Sequence, residues 1–101
     1  RNERFEEALE MIKKAVESDP TNPSFLDSLG WAYFKLGKLE EAEKYLRNAI
    51  GFDSSSATIH EHLGDVLEKL GKTAQAKTHW KRALELSTDA KDVRRIRSKL
   101  K

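Results

Sequence analysis

The chain has 101 residues, which is enough for one domain with its own core and too few for two. Charged residues make up 36% of it and only two residues are proline, which is typical of exposed, charged helices. The net charge of +2 is too small to indicate nucleic acid or a membrane surface by itself, and the absence of cysteine excludes disulfides and thiolate metal sites.

The chain opens inside a helical pattern, at Arg1-Asn2-Glu3 and without an initiator methionine, which indicates a piece of a longer protein. A first helix is predicted over residues 4–18. Its apolar residues form one broad face and are Phe5, Ala8, Leu9, Ile12, Ala15 and Val16. Asp19-Pro20 ends this helix, because proline disfavours helical geometry in the residue before it.

Five more helices follow, and capping or turn residues mark their ends. Asn22 and Pro23 are a good start for the second helix, and Ser56 can cap the fourth. Gly37 and Gly71 supply the left-handed turns at the ends of the second and fourth helices. The predicted ranges are 23–36, 39–52, 57–70, 73–86 and 90–100. No segment has a strand pattern, and no apolar run reaches the roughly 18–20 residues of a membrane span, so we predict an all-α chain.

The sequence repeats itself with a period of 34 residues. Residues 23–56 match residues 57–90 at Leu29/Leu63, Gly30/Gly64, Lys35/Lys69, Leu36/Leu70, Gly37/Gly71, Lys38/Lys72, Ala42/Ala76 and Ala49/Ala83. Residues 1–22 match residues 35–56 in the same way. Two helices per period indicate a stacked array. A glycine inside a helix costs about 1 kcal/mol relative to alanine, so Gly30 and Gly64 predict close approach of paired helices.

This pattern resembles the tetratricopeptide repeat family, whose signature is W-x2-L-G-x2-Y followed by A-x3-F, A and P. The matching residues are Leu26, Leu29, Gly30, Tyr33, Ala42, Leu46 and Ala49 in one unit, His60, Leu63, Gly64, Leu67, Ala76, Trp80 and Ala83 in the next, and Ala8, Ile12, Ala15 and Pro20 in a half unit. We therefore expect one domain over 1–101. It contains the second helix of a truncated repeat (1–22), two repeats (23–56 and 57–90) and a basic capping helix (90–101).

The resemblance implies a right-handed α-α superhelix of about two and a half repeats. It also implies a protein–protein interaction module, a scaffold or adaptor whose concave groove binds a partner peptide or helix. The groove is expected on the first helix of each pair, at Asp27, Trp31, Phe34, Lys35, Glu61, His62, Asp65, Glu68 and Lys69, and its stripe also includes Ser24 and Thr58. Trp31 and Phe34 have two interpretations: contact with a ligand, or packing against a preceding helix.

The groove residues also indicate the chemistry of the partner. Family members that grip a C-terminal carboxylate use lysine, arginine and asparagine on this stripe. Here the stripe carries mostly Asp27, Trp31, Glu61, His62 and Asp65, so we expect a basic or apolar ligand.

No catalytic or metal-binding constellation is evident, so we expect neither an enzyme nor a cofactor. His60 and His62 point about 200° apart on one helix and cannot share one ion. The basic residues of 91–101 have two interpretations. One is a site that binds a polyanion. The other, which we prefer, is a solvated capping helix with Val93, Ile96 and Leu100 facing inward, and it argues against nucleic acid as a partner.

A second functional hypothesis is self-association. Ala8, Ile12 and Ala15 belong to the face that should pack on a first helix of their own repeat, so we expect them to expose apolar surface and to support a homodimer. The sequence does not fix a compartment, and a cytoplasmic location is the default.

Overall fold

Helices form wherever the apolar residues recur with helical spacing between capping residues. The computed structural model describes the backbone of residues 2–101 and the side chains of residues 4–101. Within that range it contains α1 (Asn2–Ser18), α2 (Pro23–Lys35), α3 (Leu39–Phe52), α4 (Ala57–Lys69), α5 (Thr73–Leu86) and α6 (Ala90–Lys99), with no strand. These bounds differ from the predicted ones by at most two residues, and the predicted all-α class is confirmed.

The helix starts use side-chain caps as the sequence predicts. The Asn22 side chain accepts a hydrogen bond from the Phe25 N–H at 3.1 Å, and the Ser56 hydroxyl oxygen accepts one from the Ile59 N–H at 3.2 Å. These contacts satisfy N–H groups that have no partner in the first helical turn. Asp89 caps α6 in the same way.

Glycine ends α2 and α4. Gly37 and Gly71 have φ angles of 79° and 81°, a region that side chains with a Cβ rarely adopt. The two turns close with equivalent backbone hydrogen bonds, from the Lys38 N–H to the Tyr33 carbonyl and from the Lys72 N–H to the Leu67 carbonyl, each 2.9 Å long. Each turn reverses the chain, so that α2 pairs with α3 and α4 pairs with α5.

The core lies between the paired helices and is built from small and large residues in alternation. Its most buried members include Ala42, Leu46, Ala49, Leu63, Val66, Leu67, Ala76, Trp80, Ala83 and Ile96, each at most 2% exposed. A Cβ on Gly30 would lie 2.7 Å from Leu46, and one on Gly64 would lie 2.5 Å from the Trp80 ring. Both glycines therefore permit the close approach that the sequence predicts.

The pairs stack side by side, with α1 against α2 at one end and α6 against α5 at the other. The resulting solenoid measures 36 × 25 × 23 Å. Successive first helices, α2, α4 and α6, lie along one side, which sets the groove-lining residues next to one another. Within residues 2–101, no helix has both the length and the apolar composition to cross a membrane.

Candidate interaction groove

The groove is formed where α2, α4 and α6 lie next to one another, and its side chains connect neighbouring helices. Asp27 on α2 contacts His62 on α4, and Glu61 on α4 contacts Arg95 on α6. Glu61 and Arg95 are 34 residues apart, so they hold the same place in consecutive repeats. One depression of the groove is lined by Trp31, Thr58, Glu61, His62, Asp65, Asp92, Arg95 and Lys99. The groove therefore extends onto α6.

An aromatic shelf, consisting of Trp31, Phe34 and His62, forms the apolar part of the groove. The Trp31 ring stacks on His62 with centroids 3.9 Å apart and on Phe34 with centroids 4.6 Å apart. The Lys35 ammonium lies 5.8 Å from the centre of the Trp31 ring, and His62 Nδ1 lies 2.8 Å from an Asp27 carboxylate oxygen. All three shelf side chains are half-buried, so they pack on one another and still present surface.

An ionic network, consisting of Glu61, Asp65, Arg95 and Lys99, forms the polar part of the groove. Arg95 donates to the two Glu61 oxygens at 2.7 and 2.8 Å, and Lys99 donates to Glu61 at 2.8 Å. Lys99 also donates to both Asp65 oxygens at 2.9 and 3.0 Å, and Trp80 Nε1–H donates to Asp65 at 3.0 Å. Two carboxylates and two cations thus neutralise one another.

The pKa values of the network follow from these contacts. Burial alone would raise the pKa of Glu61, but the hydrogen bonds and charges of Arg95 and Lys99 outweigh it and lower the pKa from 4.5 to about 2. Burial would lower the pKa of Lys99, but Glu61 and Asp65 raise it above its ordinary value. The side chain of Glu61 is only 9% exposed, so its charge depends on these partners.

This network revises one expectation from the sequence and argues against one alternative. Glu61 and Asp65 do not present free negative charge to a ligand, because α6 supplies a cation to each. Arg95 does not belong to a free polyanion site, because it binds Glu61 and Asp92. Sequence reasoning missed Arg95 and Lys99 as groove residues. Continuing the 34-residue period from Glu61 and Asp65 onto α6 would have found them.

The remaining predicted groove residues lie at its margins. Phe34, Asp65, Glu68 and Lys69 line a second depression together with Trp80 and Lys99. Lys35 lines a third, next to Trp31, His62 and residues of α1. Glu68, Lys35 and Lys69 are exposed, so they form a mixed-charge rim around the shelf and the network.

A histidine pair lies on the opposite side of α4 from the shelf. His60 is buried, its Nε2 lies 2.9 Å from the Ser54 carbonyl oxygen, and its Nδ1 lies 3.0 Å from His79 Nδ1. Because the carbonyl oxygen only accepts, His60 donates to it from Nε2, and one of the two Nδ1 atoms donates to the other. Burial lowers the pKa of His79, and the charges of His60 and Arg47 act in the same direction. The described residues hold no group of three or more histidine, cysteine or acidic side chains placed to bind a metal.

The predicted self-association face on α1 is partly open. Ala8 is exposed, and Ile12 and Ala15 are half-buried. The residues in the same places of α3 (Ala42, Leu46, Ala49) and of α5 (Ala76, Trp80, Ala83) are at most 2% exposed. Next to this face, Met11 is 71% exposed.

Comparison with family models gives three matches that together cover residues 11–89. Residues 11–44 and 57–89 match models described as tetratricopeptide repeat, and residues 30–71 match one described as TPR repeat. One curated relative, the TPR repeat-containing protein PA4667 of Pseudomonas aeruginosa, is 46% identical over 39 residues. That segment covers 39% of this chain and 7% of the relative, so the chain spans a small part of its length.

Solved structures with the same arrangement of helices include peptide-bound ones. The first TPR of Spaghetti (RPAP3), bound to the HSP90 peptide SRMEEVD, is 26% identical with a TM-score of 0.84, over 97% of this chain and 79% of that chain. The second TPR of that protein, bound to the same peptide, is 31% identical with a TM-score of 0.78, over 82% and 77%. The Yersinia enterocolitica translocator chaperone SycD has a TM-score of 0.90 at 19% identity, over 98% and 71%, which is a likeness of fold.

Proposed function

The chain belongs to the tetratricopeptide repeat family, and we propose that it is a protein–protein interaction module whose groove binds an extended or helical segment of a partner protein. The observation that carries this proposal is the aromatic shelf, since half-buried aromatic side chains in a concave surface are the usual anchors of protein interfaces. The two similar domains of Spaghetti, each solved with a peptide, support peptide binding as the mode.

The partner contributes an apolar side chain to the shelf. A basic ligand gains little binding free energy from Glu61 and Asp65, because Arg95 and Lys99 already donate hydrogen bonds to their carboxylate oxygens. An apolar side chain instead covers the exposed part of Trp31 and displaces water from it. The mixed charges of the rim then affect the orientation of the bound segment and its rate of association more than its affinity. The proposed role is binding, and no chemical step is assigned to the groove.

The test begins with a peptide library displayed on phage and selected on the immobilised chain. Dissociation constants of the selected peptides are then measured for the wild type, Trp31→Ala and the control Phe52→Ala. Phe52 is 55% exposed at the end of α3, outside the groove, so Phe52→Ala removes an aromatic ring without touching the shelf.

We expect Trp31→Ala to weaken binding at least about tenfold, as loss of a hot-spot aromatic does, and Phe52→Ala to leave it unchanged. Circular dichroism shows whether both variants stay helical. Equal binding by the wild type and Trp31→Ala contradicts the proposal. A strong dependence of affinity on salt contradicts the apolar character of the partner.

A second candidate function is self-association through the α1 face. The observation that favours it is the exposure of Ala8 and the partial exposure of Ile12 and Ala15, whose equivalents in α3 and α5 are core residues. Light scattering over a concentration series tests it. A chain that stays strictly monomeric at the highest concentration rules it out.

A further inference from the structure

A histidine pair in the middle of the chain joins three of its segments. His60 on α4 is 6% exposed, and its ring nitrogens contact the loop at residues 53–56 and His79 on α5. We propose that this pair is an acid-sensitive latch, which holds α4 against α5 while it carries at most one added proton and opens when it takes a second. The latch goes beyond the proposed binding function and uses none of the groove residues.

The two rings form a nearly linear hydrogen bond. Their Nδ1 atoms lie 3.0 Å apart and their centroids 5.3 Å apart. The centroids reach that separation only when both Nδ1 atoms lie close to the line between the ring centres. The two lone-pair directions therefore point at each other and not toward a common third point, so the arrangement suits a single shared proton and does not suit a shared metal ion.

A count of protons shows why the pair accepts one charge and not two. His60 carries a proton on Nε2 in every state, because the Ser54 carbonyl oxygen 2.9 Å away only accepts. In the neutral pair, one further proton lies between the two Nδ1 atoms. A first added proton has a site at Nε2 of His79, and both hydrogen bonds of the pair are retained. A second added proton has to enter the space between the Nδ1 atoms, where two N–H groups would face each other across 3.0 Å.

The charges around the pair favour the first added proton and oppose the second. Among the described residues, the charges that act on the pair are Arg47 on α3 and Asp53 in the loop. Hydrogen bonds from Ser55 lower the pKa of Asp53, and the charge of His60 acts in the same direction, so Asp53 is an anion beside the pair. Burial lowers the pKa of His79, and the charges of His60 and Arg47 lower it further. One anion thus balances one added charge, and the second has no counterion.

His79 is the partner that moves when the latch opens. His60 is buried and, as a cation, still donates to the Ser54 carbonyl, so it stays in place. His79 is half-buried and reaches solvent by rotation of its own side chain. Opening therefore breaks one hydrogen bond between α4 and α5, which corresponds to about fivefold in the folding equilibrium constant.

The preceding repeat provides a control within the same chain. One 34-residue period before His60 and His79 stand Leu26 on α2 and Tyr45 on α3. Neither side chain takes up a proton in acid, so α2 and α3 lack the latch although they pair in the same way. An effect of acid on the latch is therefore confined to α4, α5 and the loop.

NMR of the histidine ring nitrogens between pH 8 and pH 4 observes the proton-binding steps directly. Spectra are recorded for the wild type, His79→Gln and His62→Gln. Glutamine at position 79 can still form a hydrogen bond with His60 but takes no proton. His62→Gln removes a histidine outside the latch, so the two variants match in the number of titrating groups. Urea unfolding of the three proteins at pH 7 and pH 5 measures the effect on stability.

We expect the wild-type pair to titrate in two steps at least about one pH unit apart, as coupled groups do. With the second step, the nuclear Overhauser effect between the rings of His60 and His79 should disappear. Backbone amide shifts should then change in α4, α5 and the loop and stay constant around Leu26 and Tyr45.

Stability should follow the second proton. Because it binds the folded chain less readily than the unfolded chain, the contribution of the latch is present above the ordinary histidine pKa of about 6.5 and is lost below it. From pH 7 to pH 5, the equilibrium constant for unfolding should rise about fivefold more in the wild type and His62→Gln than in His79→Gln.

Each contrary result overturns the latch at a different step. Histidines that titrate within about half a pH unit of each other are not coupled. A ring contact that persists after the second proton contradicts opening, and a second proton that binds only when the whole chain unfolds shows a fixed bond in place of a latch. An equal loss of stability in the wild type and His79→Gln contradicts its effect on stability. The wild-type titration decides the proposal even where His79→Gln does not fold.

Discussion

Replacing Glu61 by glutamine is the most direct test of how the groove is held together. The substitution keeps the size and shape of the side chain and removes its charge. Two cations lose an ionised acceptor: Arg95, which binds it through two nitrogens, and Lys99. Because these bonds join α4 to α6, we expect the variant to be less stable, with α6 loosened first.

The size of the effect follows from the pKa of Glu61. A folded-state pKa of about 2 against an ordinary value of 4.5 corresponds to about 3.5 kcal/mol, at about 1.4 kcal/mol for each pKa unit. That figure is an upper bound, because the Arg95 side chain is 50% exposed and water screens its interaction. We therefore expect Glu61→Gln to lower the free energy of unfolding by about 1–2 kcal/mol at pH 7.

The pH dependence of the stability difference between wild type and Glu61→Gln distinguishes loss of the Glu61 charge from a change in packing. Because the folded-state pKa of Glu61 is depressed, its contribution is present above pH 4.5 and is lost as the pH falls toward 2. The pKa of Glu43 is also lowered, since hydrogen bonds from Arg47 and Lys72 outweigh its burial, so the wild type loses stability from more than one group. The difference between wild type and Glu61→Gln is therefore the quantity to measure.

Urea unfolding at pH 7, 5, 4, 3 and 2 gives this difference. We expect about 1–2 kcal/mol at pH 7 and less than about 0.5 kcal/mol at pH 2, where Glu61 is about half protonated in the folded chain and almost fully protonated in the unfolded one. A difference that stays constant over this range would refute the ionic explanation. Equal stability of the two proteins at pH 7 would refute the role of Glu61 altogether.

Three further predictions concern other parts of the fold. Gly64→Ala should lower the free energy of unfolding by about 1–3 kcal/mol, because the new Cβ meets Trp80 at 2.5 Å, whereas Gly51→Ala, with no neighbour within 4 Å, should raise it by roughly 0.5–1 kcal/mol in urea unfolding. Asp89→Ala removes the cap of α6 and should lower the same free energy by about 1 kcal/mol, with reduced helicity by circular dichroism. An NMR titration of His79 should give a pKa below 6.5, because burial disfavours its charged form, and a midpoint above 6.5 would contradict its placement.

The helices were predictable because their signals are local. Asn22, Ser56, Gly37 and Gly71 act within one helical turn of their own positions, and the structure uses all four as the sequence predicts. The approach of paired helices was also predictable, because a glycine at the same place in two repeats is costly unless a neighbour needs the space. Gly64 against Trp80 shows that need directly.

The groove was predictable in position and not in charge. The repeat pattern identified the stripe on α2 and α4, but it treated Glu61 and Asp65 as free carboxylates. Their neutralisation depends on α6, whose cations were assigned to solvent. The pairing of His60 with His79 was not predictable either, because it depends on how α4 and α5 rotate against each other. Contacts between helices decide both cases, and no local signal reports them.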